Sequence, residues 1–519
     1  MFSYSLPKWK YQFNKRHLSI LLTVLYVALL IPMLVLGFYD FPSADDFSMA
    51  LQTHEAFVET GSVLSAVIAS LQKAWLVYSQ YEGYFFSIIL TNVCPSAFSE
   101  SLYFLTPFII LAMLTFGVLY FFDALFVRVW RLDKDLTNVA AMITLILMTQ
   151  SLPKGGLRVE AFYWYSGAIN YTFTFGMAFF WLGLLMRAVY DDDPKVRKRK
   201  LIWAAFWGFW MGGANYLTAL ELAIISVLIL FIALMVKRGI FKQETPWKNI
   251  WIPAVTNLIG FACSCFTPGN LVRSAETAHV GAVKSVLLSI YSTFDMMIND
   301  MARWELWVAL LLLVPVFWNM AGRLKARLEH PFMFVLFAFL LVSSNMTPPF
   351  FAVGNIGAGR LKALGWMEFV VMAVLTVFYL TAWFRQYLEA RVNAFSIDAD
   401  AKTADERRMP VASSFVVAAC LGFLAFGSLL SILPDHEYYS GTSAFFAIAD
   451  GSAATYRDEN LKRLEILRDD SIKDAVLEEH SVHPEMLFYW DVTSDPSEWV
   501  NSATAIYYNK DSVILKSGR

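Results

Sequence analysis

Long apolar runs recur along the whole chain and exclude most soluble folds. A helix needs about 20 mostly apolar residues to cross the hydrocarbon core of a bilayer. Charged residues make up only 16% of the 519 residues, against about 25% in an average soluble protein. The sequence therefore predicts an all-α polytopic membrane protein with about 11 transmembrane helices. The predicted spans are 18–38, 101–122, 136–152, 171–190, 201–214, 216–236, 249–266, 304–321, 331–346, 362–384 and 411–433.

The first run, 18–38, is longer than the apolar core of a signal peptide. No small-residue cleavage site follows it before Asp40, so we expect a retained first span. The 4 cysteines show neither CxxC nor zinc-finger spacing, which indicates neither a metal site nor a disulfide framework. A net charge of −2 gives no basic field for binding nucleic acid.

The distribution of Lys and Arg predicts the orientation in the membrane. With the N-terminus in the cytoplasm, the inner segments 1–17, 123–135, 187–200, 237–248, 322–330 and 385–410 hold 25 of the 41 basic residues. The short outer segments hold 8, and another 8 follow Pro434. Because short cytoplasmic loops are enriched in Lys and Arg, we expect a cytoplasmic N-terminus and a location in the inner (cytoplasmic) membrane.

The outer segments divide the chain into two predicted domains. Residues 1–433 form the transmembrane domain, whose long first outer loop, 39–100, is too apolar to be a simple linker. Within it, Val63 to Val77 has apolar residues at helical spacing and is expected to lie in the membrane interface. Residues 434–519 contain no spanning run and are expected to form a small extracytoplasmic domain.

Two adjacent carboxylates, Asp45 and Asp46, follow the first span. Mutual repulsion and partial desolvation raise the pKa of at least one of them, as a general base near neutral pH requires. The alternative is that Ser43 or Asp45 caps the next helix. Because Asp40 is close in sequence, a divalent cation at Asp45 and Asp46 is left open.

The predicted outer loop 153–171 combines charge with a dense aromatic set. Arg158 and Glu160 are expected to pair, while Trp164 and Asn170 belong to a group of aromatic and hydrogen-bonding side chains that suits sugar rings. An interfacial aromatic belt is the alternative.

Four further charged residues lie near predicted outer ends of spans. Glu221 lies about one turn inside its span, where an ionisable residue indicates function, although a structural ion pair is the alternative. Arg273 and Arg360 suit phosphate binding, or else anchor the interface. Glu82 precedes a short apolar segment and is either a site residue or a carboxylate that reaches the surface.

In combination, these features resemble the C-type (GT-C) membrane glycosyltransferases, specifically a bacterial polytopic family grouped with them. The resemblance covers most of the chain. The segments that carry it are Asp45-Asp46, the outer first loop, Phe162-Tyr163-Trp164-Tyr165-Ser166-Gly167, Glu221, Pro268-Gly269-Asn270-Leu271-Val272-Arg273, and the tail segment Asp491 to Pro496 with Asn501, Tyr507 and Tyr508.

The resemblance implies a GT-C-like fold and an inverting transferase. Its donor would be a polyprenyl-phosphate sugar, and its acceptor an envelope glycan or lipid. Asp45 or Asp46 would be the base, and no cofactor beyond the open divalent cation is implied. Because the acids are adjacent rather than spaced Asp-x-Asp, metal dependence stays open. The residues implied in substrate binding are Glu82, Arg158, Glu160, Trp164, Asn170, Glu221, Asn270, Arg273 and Arg360.

Other functions are weighed against this one. A transporter or flippase of a lipid-linked saccharide is the main alternative, although transporters usually show repeat symmetry and polar sites at the midplane. An acyltransferase commonly needs a histidine, and the short outer loops hold only His54 and His279. A structural subunit would leave the paired acids and Glu221 without a purpose.

Overall fold

The computed structural model describes residues 10–238, 249–276, 280–391 and 406–516. His279 and parts of the predicted inner segments 1–17, 237–248 and 385–410 lie outside these ranges. The described chain is mostly helical with two short strands, and eight helical stretches are long and apolar enough to cross a membrane. The predicted all-α, multi-pass membrane architecture is therefore confirmed at this level. These stretches are Lys15–Tyr39, Glu100–Val129, Tyr165–Tyr190, Tyr216–Lys237, Trp304–Ala321, Pro331–Val353, Gly359–Arg391 and Val411–Ile432.

The described residues form the following α-helices: α1 Lys15–Leu36, α2 Asp45–Thr60, α3 Val63–Gln80, α4 Phe85–Asn92, α5 Leu105–Phe122, α6 Lys134–Gln150, α7 Leu157–Phe162, α8 Tyr165–Ala168, α9 Thr174–Tyr190, α10 Pro194–Gly212, α11 Tyr216–Lys237, α12 Trp251–Cys265, α13 Pro268–Glu276, α14 Ala282–Asn299, α15 Trp304–Ala321, α16 Pro331–Ser344, α17 Thr347–Val353, α18 Gly359–Arg391, α19 Val411–Ile432, α20 Ser440–Ala449, α21 Ser452–Arg468 and α22 Trp499–Tyr507. The strands are β1 Asp474–Leu477 and β2 Ser512–Leu515.

Three predicted spans are helical but fall short of a typical crossing length or composition. Helix α6 has 17 residues and is mostly buried against α1, α5, α15 and α18. Helix α10 begins at Pro194, so that its first turns are strongly basic, and α12 has only 15 residues. The number of spans therefore stays a prediction at eleven.

The two ends of the helix bundle differ in their contacts. At one end, Lys15 pairs with Asp133 at 3.1 Å and Arg131 pairs with Asp192 at 2.6 Å. A β-bridge joins Asn14 to Arg408 at this same end. These residues all belong to predicted inner segments, so the structure gathers the predicted inner turns at one end, which we call the basic end.

Glycines allow two pairs of helices to approach closely. A Cβ added to Gly117 of α5 would lie 2.0 Å from the carbonyl oxygen of Gly176 in α9, and one added to Gly260 of α12 would lie 2.1 Å from that of Phe209 in α10. Small residues let helix backbones approach in a membrane. These crossings hold α5, α9, α10 and α12 together beside the site described below.

The loop after α1 folds into α2, α3 and α4. Helix α3 includes the predicted amphipathic segment and leaves Leu64, Ile68 and Trp75 exposed, while Ala66 and Ala74 are buried. An exposed apolar face on a helix beside a membrane bundle fits a helix lying in the interface.

The tail, defined as residues 434–516, packs onto the bundle at the end opposite the basic end. Helix α20 lies against α1, and α22 lies against α2. Strands β1 and β2 are parallel, with Asp474 opposite Ser512. The tail therefore sits over the first loop and can contribute side chains to a site there.

Candidate functional site

The first turn of α2 presents both adjacent carboxylates. Asp45 and Asp46 are its first residues, where backbone N–H groups and the helix dipole favour negative charge. The residue before them, Ala44, has φ 52° and ψ −122°. Residues other than glycine rarely adopt a positive φ. Backbone strain of this kind concentrates at functional sites. The Asp46 amide donates to the Ser43 carbonyl oxygen at 3.1 Å and closes this turn.

Asp46 is fully buried and uses both of its carboxylate oxygens within the protein. One accepts from the Tyr103 hydroxyl at 2.6 Å and from the Ser43 amide at 3.2 Å. The other accepts from the Ser166 amide at 2.9 Å and from its hydroxyl at 2.6 Å. Burial raises the pKa of Asp46 to about 6, and these hydrogen bonds oppose the rise. Asp46 therefore joins α2 to the start of α5 and to α8.

Asp45 has different surroundings. It is partly exposed, and within the described part of the chain no donor is hydrogen-bonded to its carboxylate and no cation forms an ion pair with it. Burial raises its pKa, and the charge of Arg360 opposes this rise. A carboxylate with a raised pKa and open lone pairs can accept a proton from a bound hydroxyl group.

Arg360 lies in the first turn of α18 and is held by Glu160. Its Nη1 lies 3.0 Å from the Glu160 Oε2, and the Glu160 carboxylate also accepts from the amides of Gly359 and Arg360, at 3.0 and 3.1 Å. The guanidinium carbon lies 5.2 Å from the ring centre of Trp164 and 5.7 Å from that of Tyr171. A guanidinium above aromatic faces is attracted by their π-electrons.

The tail contributes Tyr489 to the same place. Its ring stacks on Trp164 with centres 4.1 Å apart and an interplanar angle of 22°. Its hydroxyl group lies within electrostatic range of both Arg360 and Asp45. The Trp164 indole nitrogen donates to the Ser43 carbonyl oxygen at 3.1 Å, directly before the first turn of α2. We call this cluster of side chains the Arg360 pocket; it consists of Asp45, Glu160, Trp164, Tyr171, Arg360 and Tyr489.

A π-helical segment, Ile169–Phe173, carries Tyr171 to Arg360. π-Bulges are frequent at functional sites because the extra residue redirects neighbouring side chains. Asn170 in this segment is buried, and its side-chain oxygen has no hydrogen-bond partner. Its backbone oxygen accepts from the Asn215 side chain at 2.8 Å.

Glu82 connects the pocket to α13. Its carboxylate forms an ion pair with Arg273, whose guanidinium carbon also lies 5.0 Å from the ring centre of Tyr81. Burial raises the pKa of Glu82, the charge of Arg360 lowers it and that of Asp45 raises it again. Glu82 therefore lies within electrostatic range of the pocket while its charge is neutralised by Arg273.

Asn270 caps the C-terminal end of α12 with its side chain. Its side-chain nitrogen donates to the carbonyl oxygens of Ser264 and Cys265 at 3.0 and 3.1 Å, and its side-chain oxygen accepts from the Tyr216 hydroxyl at 2.8 Å. It satisfies carbonyl groups that the helix end leaves open.

The expected pair of Arg158 and Glu160 is wrong. Glu160 pairs with Arg360, whereas the buried Arg158 donates to the carbonyl oxygens of Leu152, Glu437 and Tyr438 at 2.6–2.8 Å. Its Nη1 also lies 3.4 Å from the carboxylate of Glu485. The two residues lie on opposite sides of the short helix α7 and therefore cannot pair. Arg158 instead binds the tail through the carbonyl oxygens of Glu437 and Tyr438.

Glu221 lies apart from the Arg360 pocket. Its carboxyl group lies within electrostatic range of that of Glu368 on α18. Glu368 is not among the residues predicted from the sequence, although it is the only acidic residue in the predicted span 362–384. Like Glu221, it is an ionisable residue inside an apolar run, which indicates function. Tyr489 and Tyr171 were also missed, and no sequence signal separates them from the 23 tyrosines of the chain.

The aspartates are poorly arranged for a divalent cation. Both oxygens of Asp46 already accept two hydrogen bonds each, and Asp40 offers one oxygen without a partner. Across the described ranges, no three His, Cys, Asp or Glu side chains are grouped to hold a metal ion. The residues present therefore do not fit a divalent cation at Asp45 and Asp46.

In comparisons with known proteins, no family model matches the chain and no curated protein gives a significant match. The chemistry of the site therefore rests on its own geometry. That geometry combines a carboxylate with open lone pairs, a guanidinium in a fixed orientation, and stacked aromatic rings at the edge of a membrane bundle.

Proposed function

We propose that this protein is a membrane glycosyltransferase. It transfers a sugar from a polyprenyl-phosphate donor to an envelope glycan or lipid, with inversion at the anomeric carbon. The GT-C-like resemblance of the sequence supports this class. The observation that carries the proposal is the Asp45 carboxylate, which has open lone pairs and lies within electrostatic range of Arg360, whose guanidinium lies over the rings of Trp164 and Tyr171.

The proposed reaction uses two groups of the pocket. Asp45 takes the proton of the acceptor hydroxyl group as its oxygen attacks the anomeric carbon. The bond between that carbon and the phosphate oxygen breaks, and the electron pair leaves with the lipid phosphate. Arg360 stabilises the developing phosphate charge, which a planar guanidinium can do through two hydrogen bonds. Glu160 keeps the guanidinium in place.

The aromatic residues have a binding role in this proposal. The partly exposed Tyr489 can pack the ring face turned away from Trp164 against the C–H groups of a sugar, and the buried Trp164 supports that ring on its other face. Because Tyr489 comes from the tail, the extracytoplasmic domain takes part in binding rather than only covering the membrane domain. Asp46 has a positioning role, since its carboxylate is bonded to the protein on all sides.

The proposal includes a location and an orientation. The protein spans the inner membrane eleven times, with a cytoplasmic N-terminus and the Arg360 pocket and tail outside. The excess of Lys and Arg in the predicted inner segments supports this, as does their assembly at one end of the bundle. Sugar nucleotides are not available outside that membrane, so a lipid-linked donor is required.

A second candidate function is transport of a lipid-linked saccharide. One observation favours it, namely the buried Glu221–Glu368 pair between two spans. Carboxyl groups inside the membrane often mark ion pathways of transporters.

A gene deletion separates the two functions. Envelope glycans and lipid-linked intermediates of the deletion strain are analysed by mass spectrometry. We expect one sugar to be missing from an otherwise complete glycan, and to return with the wild-type gene but not with Asp45→Asn. Accumulation of a complete lipid-linked saccharide on the cytoplasmic side would instead indicate transport and contradict the transferase.

A further inference from the structure

A pair of carboxyl groups lies inside the helix bundle, away from the Arg360 pocket. Glu221 of α11 and Glu368 of α18 are buried, with 6% and 4% of their surface exposed. Each carboxyl group lies within electrostatic range of the other. Two buried like charges repel and favour a proton on one of the two groups, so with one proton bound the pair carries one negative charge.

This charge has no basic partner in the structure. Among the described residues, no Lys, Arg or His forms an ion pair with either carboxyl group. Asn345 does contact the pair, because its side-chain nitrogen donates to the Glu368 Oε2. A negative charge inside a bilayer is costly unless it is paired.

Three buried oxygen atoms of this cluster have no hydrogen-bond partner. They are Oε1 of Glu221, Oε1 of Glu368 and Oδ1 of Asn345, and Asn345 is completely buried. Leaving a buried acceptor without a partner costs about 1–3 kcal/mol. Three such acceptors on neighbouring side chains point to a bound group at this place.

Asn345 lies at the junction of α16 and α17, because α17 begins two residues later. The junction places the Asn345 side chain against Glu368. Its side-chain oxygen therefore adds a neutral acceptor next to the carboxyl pair.

We propose that Glu221, Glu368 and Asn345 bind one monovalent cation between α11, α16 and α18. A cation with a single charge balances the one negative charge of the singly protonated pair. A divalent cation such as Ca²⁺ takes 6–8 oxygen ligands, more than these three side chains supply, and its charge would be balanced only if both carboxyl groups were ionised. The site does not depend on the proposed transferase reaction.

Sodium is the probe for this site. The thermal midpoint of the purified full-length protein is measured in sodium chloride and in choline chloride at equal ionic strength. A ligand that binds only the folded state stabilises it in proportion to the logarithm of its concentration. We expect a midpoint several degrees higher in about 150 mM sodium than in choline, and saturable binding of radioactive sodium near one ion per chain.

Variants connect the effect to the proposed residues. Glu221→Gln and Glu368→Gln are expected to abolish the sodium-dependent shift, and Asn345→Ala to weaken it. Glu305→Gln is the matched control, because Glu305 is equally buried but pairs with Arg303. It should retain the shift. If a variant does not fold, radioactive sodium binding to the wild-type protein still tests the site.

Three outcomes would overturn the proposal. One is an equal midpoint in sodium and choline, together with no bound radioactive sodium. Another is a sodium-dependent shift that persists in both glutamate variants. The third is a midpoint that responds to pH alone, which would indicate a second proton in place of the cation. None of these measurements uses transfer activity, so failure of the cation site and failure of the transferase are distinguishable.

Discussion

Two adjacent residues of identical chemistry, Asp45 and Asp46, face two different regions of the molecule. The region around Asp46 is buried, and Tyr103 and Ser166 donate hydrogen bonds to its carboxylate there. The region around Asp45 is the Arg360 pocket, where the carboxylate keeps its lone pairs. Successive residues of a helix point about 100° apart, so one turn can serve both structure and chemistry. The difference shows that surroundings rather than residue type assign the roles.

The largest expected effect is the loss of transfer rate when Asp45 of the Arg360 pocket is replaced. Asp45→Asn should lower the transfer rate about 1,000-fold, because loss of a general base typically costs about 10²–10⁴-fold. The rate is measured with the donor and acceptor that the deletion strain identifies. The thermal midpoint should stay near that of the wild type, since no hydrogen bond is lost. A variant with full transfer activity would remove Asp45 from the proposed chemistry.

Arg360→Lys tests the other charge of the pocket. Lysine keeps the positive charge but not the planar fork that can bind Glu160 and a phosphate at once. We expect transfer to fall about 100-fold, with a smaller change in donor affinity. Arg273→Lys is the comparison variant and should have the weaker effect, because Arg273 pairs with Glu82. Equal losses in both variants would mean that Arg360 has no special role.

Asp46→Asn should affect stability more than chemistry. An asparagine can accept hydrogen bonds at only one oxygen, so donors from Ser43, Tyr103 and Ser166 lose partners. We expect a loss of about 2 kcal/mol in unfolding free energy, measured as a lower thermal midpoint. A variant as stable as the wild type would show that these contacts are dispensable.

The same variant should flatten the dependence of stability on pH. Burial raises the pKa of Asp46 to about 6 in the folded state, whereas an unfolded aspartate titrates near 4. The folded state binds this proton more tightly than the unfolded state does. The proton's contribution to the unfolding free energy is therefore fully present below about pH 4 and is lost as the pH rises through 6. Between pH 4 and pH 6, the thermal midpoint should fall with rising pH more steeply for the wild type than for Asp46→Asn.

The smallest expected effect concerns the tail. Tyr489→Ala removes the ring stacked on Trp164, and such a pair contributes about 0.5–1.5 kcal/mol. We expect the Michaelis constant for a substrate to rise about 3–10-fold. The neighbouring Trp490, which is half exposed, provides the control variant Trp490→Ala. An unchanged Michaelis constant for Tyr489→Ala would mean that the tail does not take part in substrate binding.

Part of the site could be predicted because local chemistry reveals it. Asp45 and Glu221 stood out, since charges beside or inside apolar runs are costly. The charged groups that act on them could not be predicted, because Arg360 is 315 positions from Asp45 and Glu368 is 147 positions from Glu221. The expected pair of Arg158 and Glu160 failed for the related reason that closeness in sequence says little about side-chain direction on a short helix.

The sequence by itself determined that this chain is a helical, multi-pass membrane protein. Apolar runs of bilayer length leave a chain few ways to satisfy its backbone except by helices, and this requirement acts locally. Only the tertiary structure decided which polar groups meet. It directed Asp45 and Asp46 to different surroundings, brought Tyr489 from the tail onto Trp164, and placed Glu368 against Glu221. Such contacts depend on how helices distant in sequence pack, and no local pattern encodes that packing.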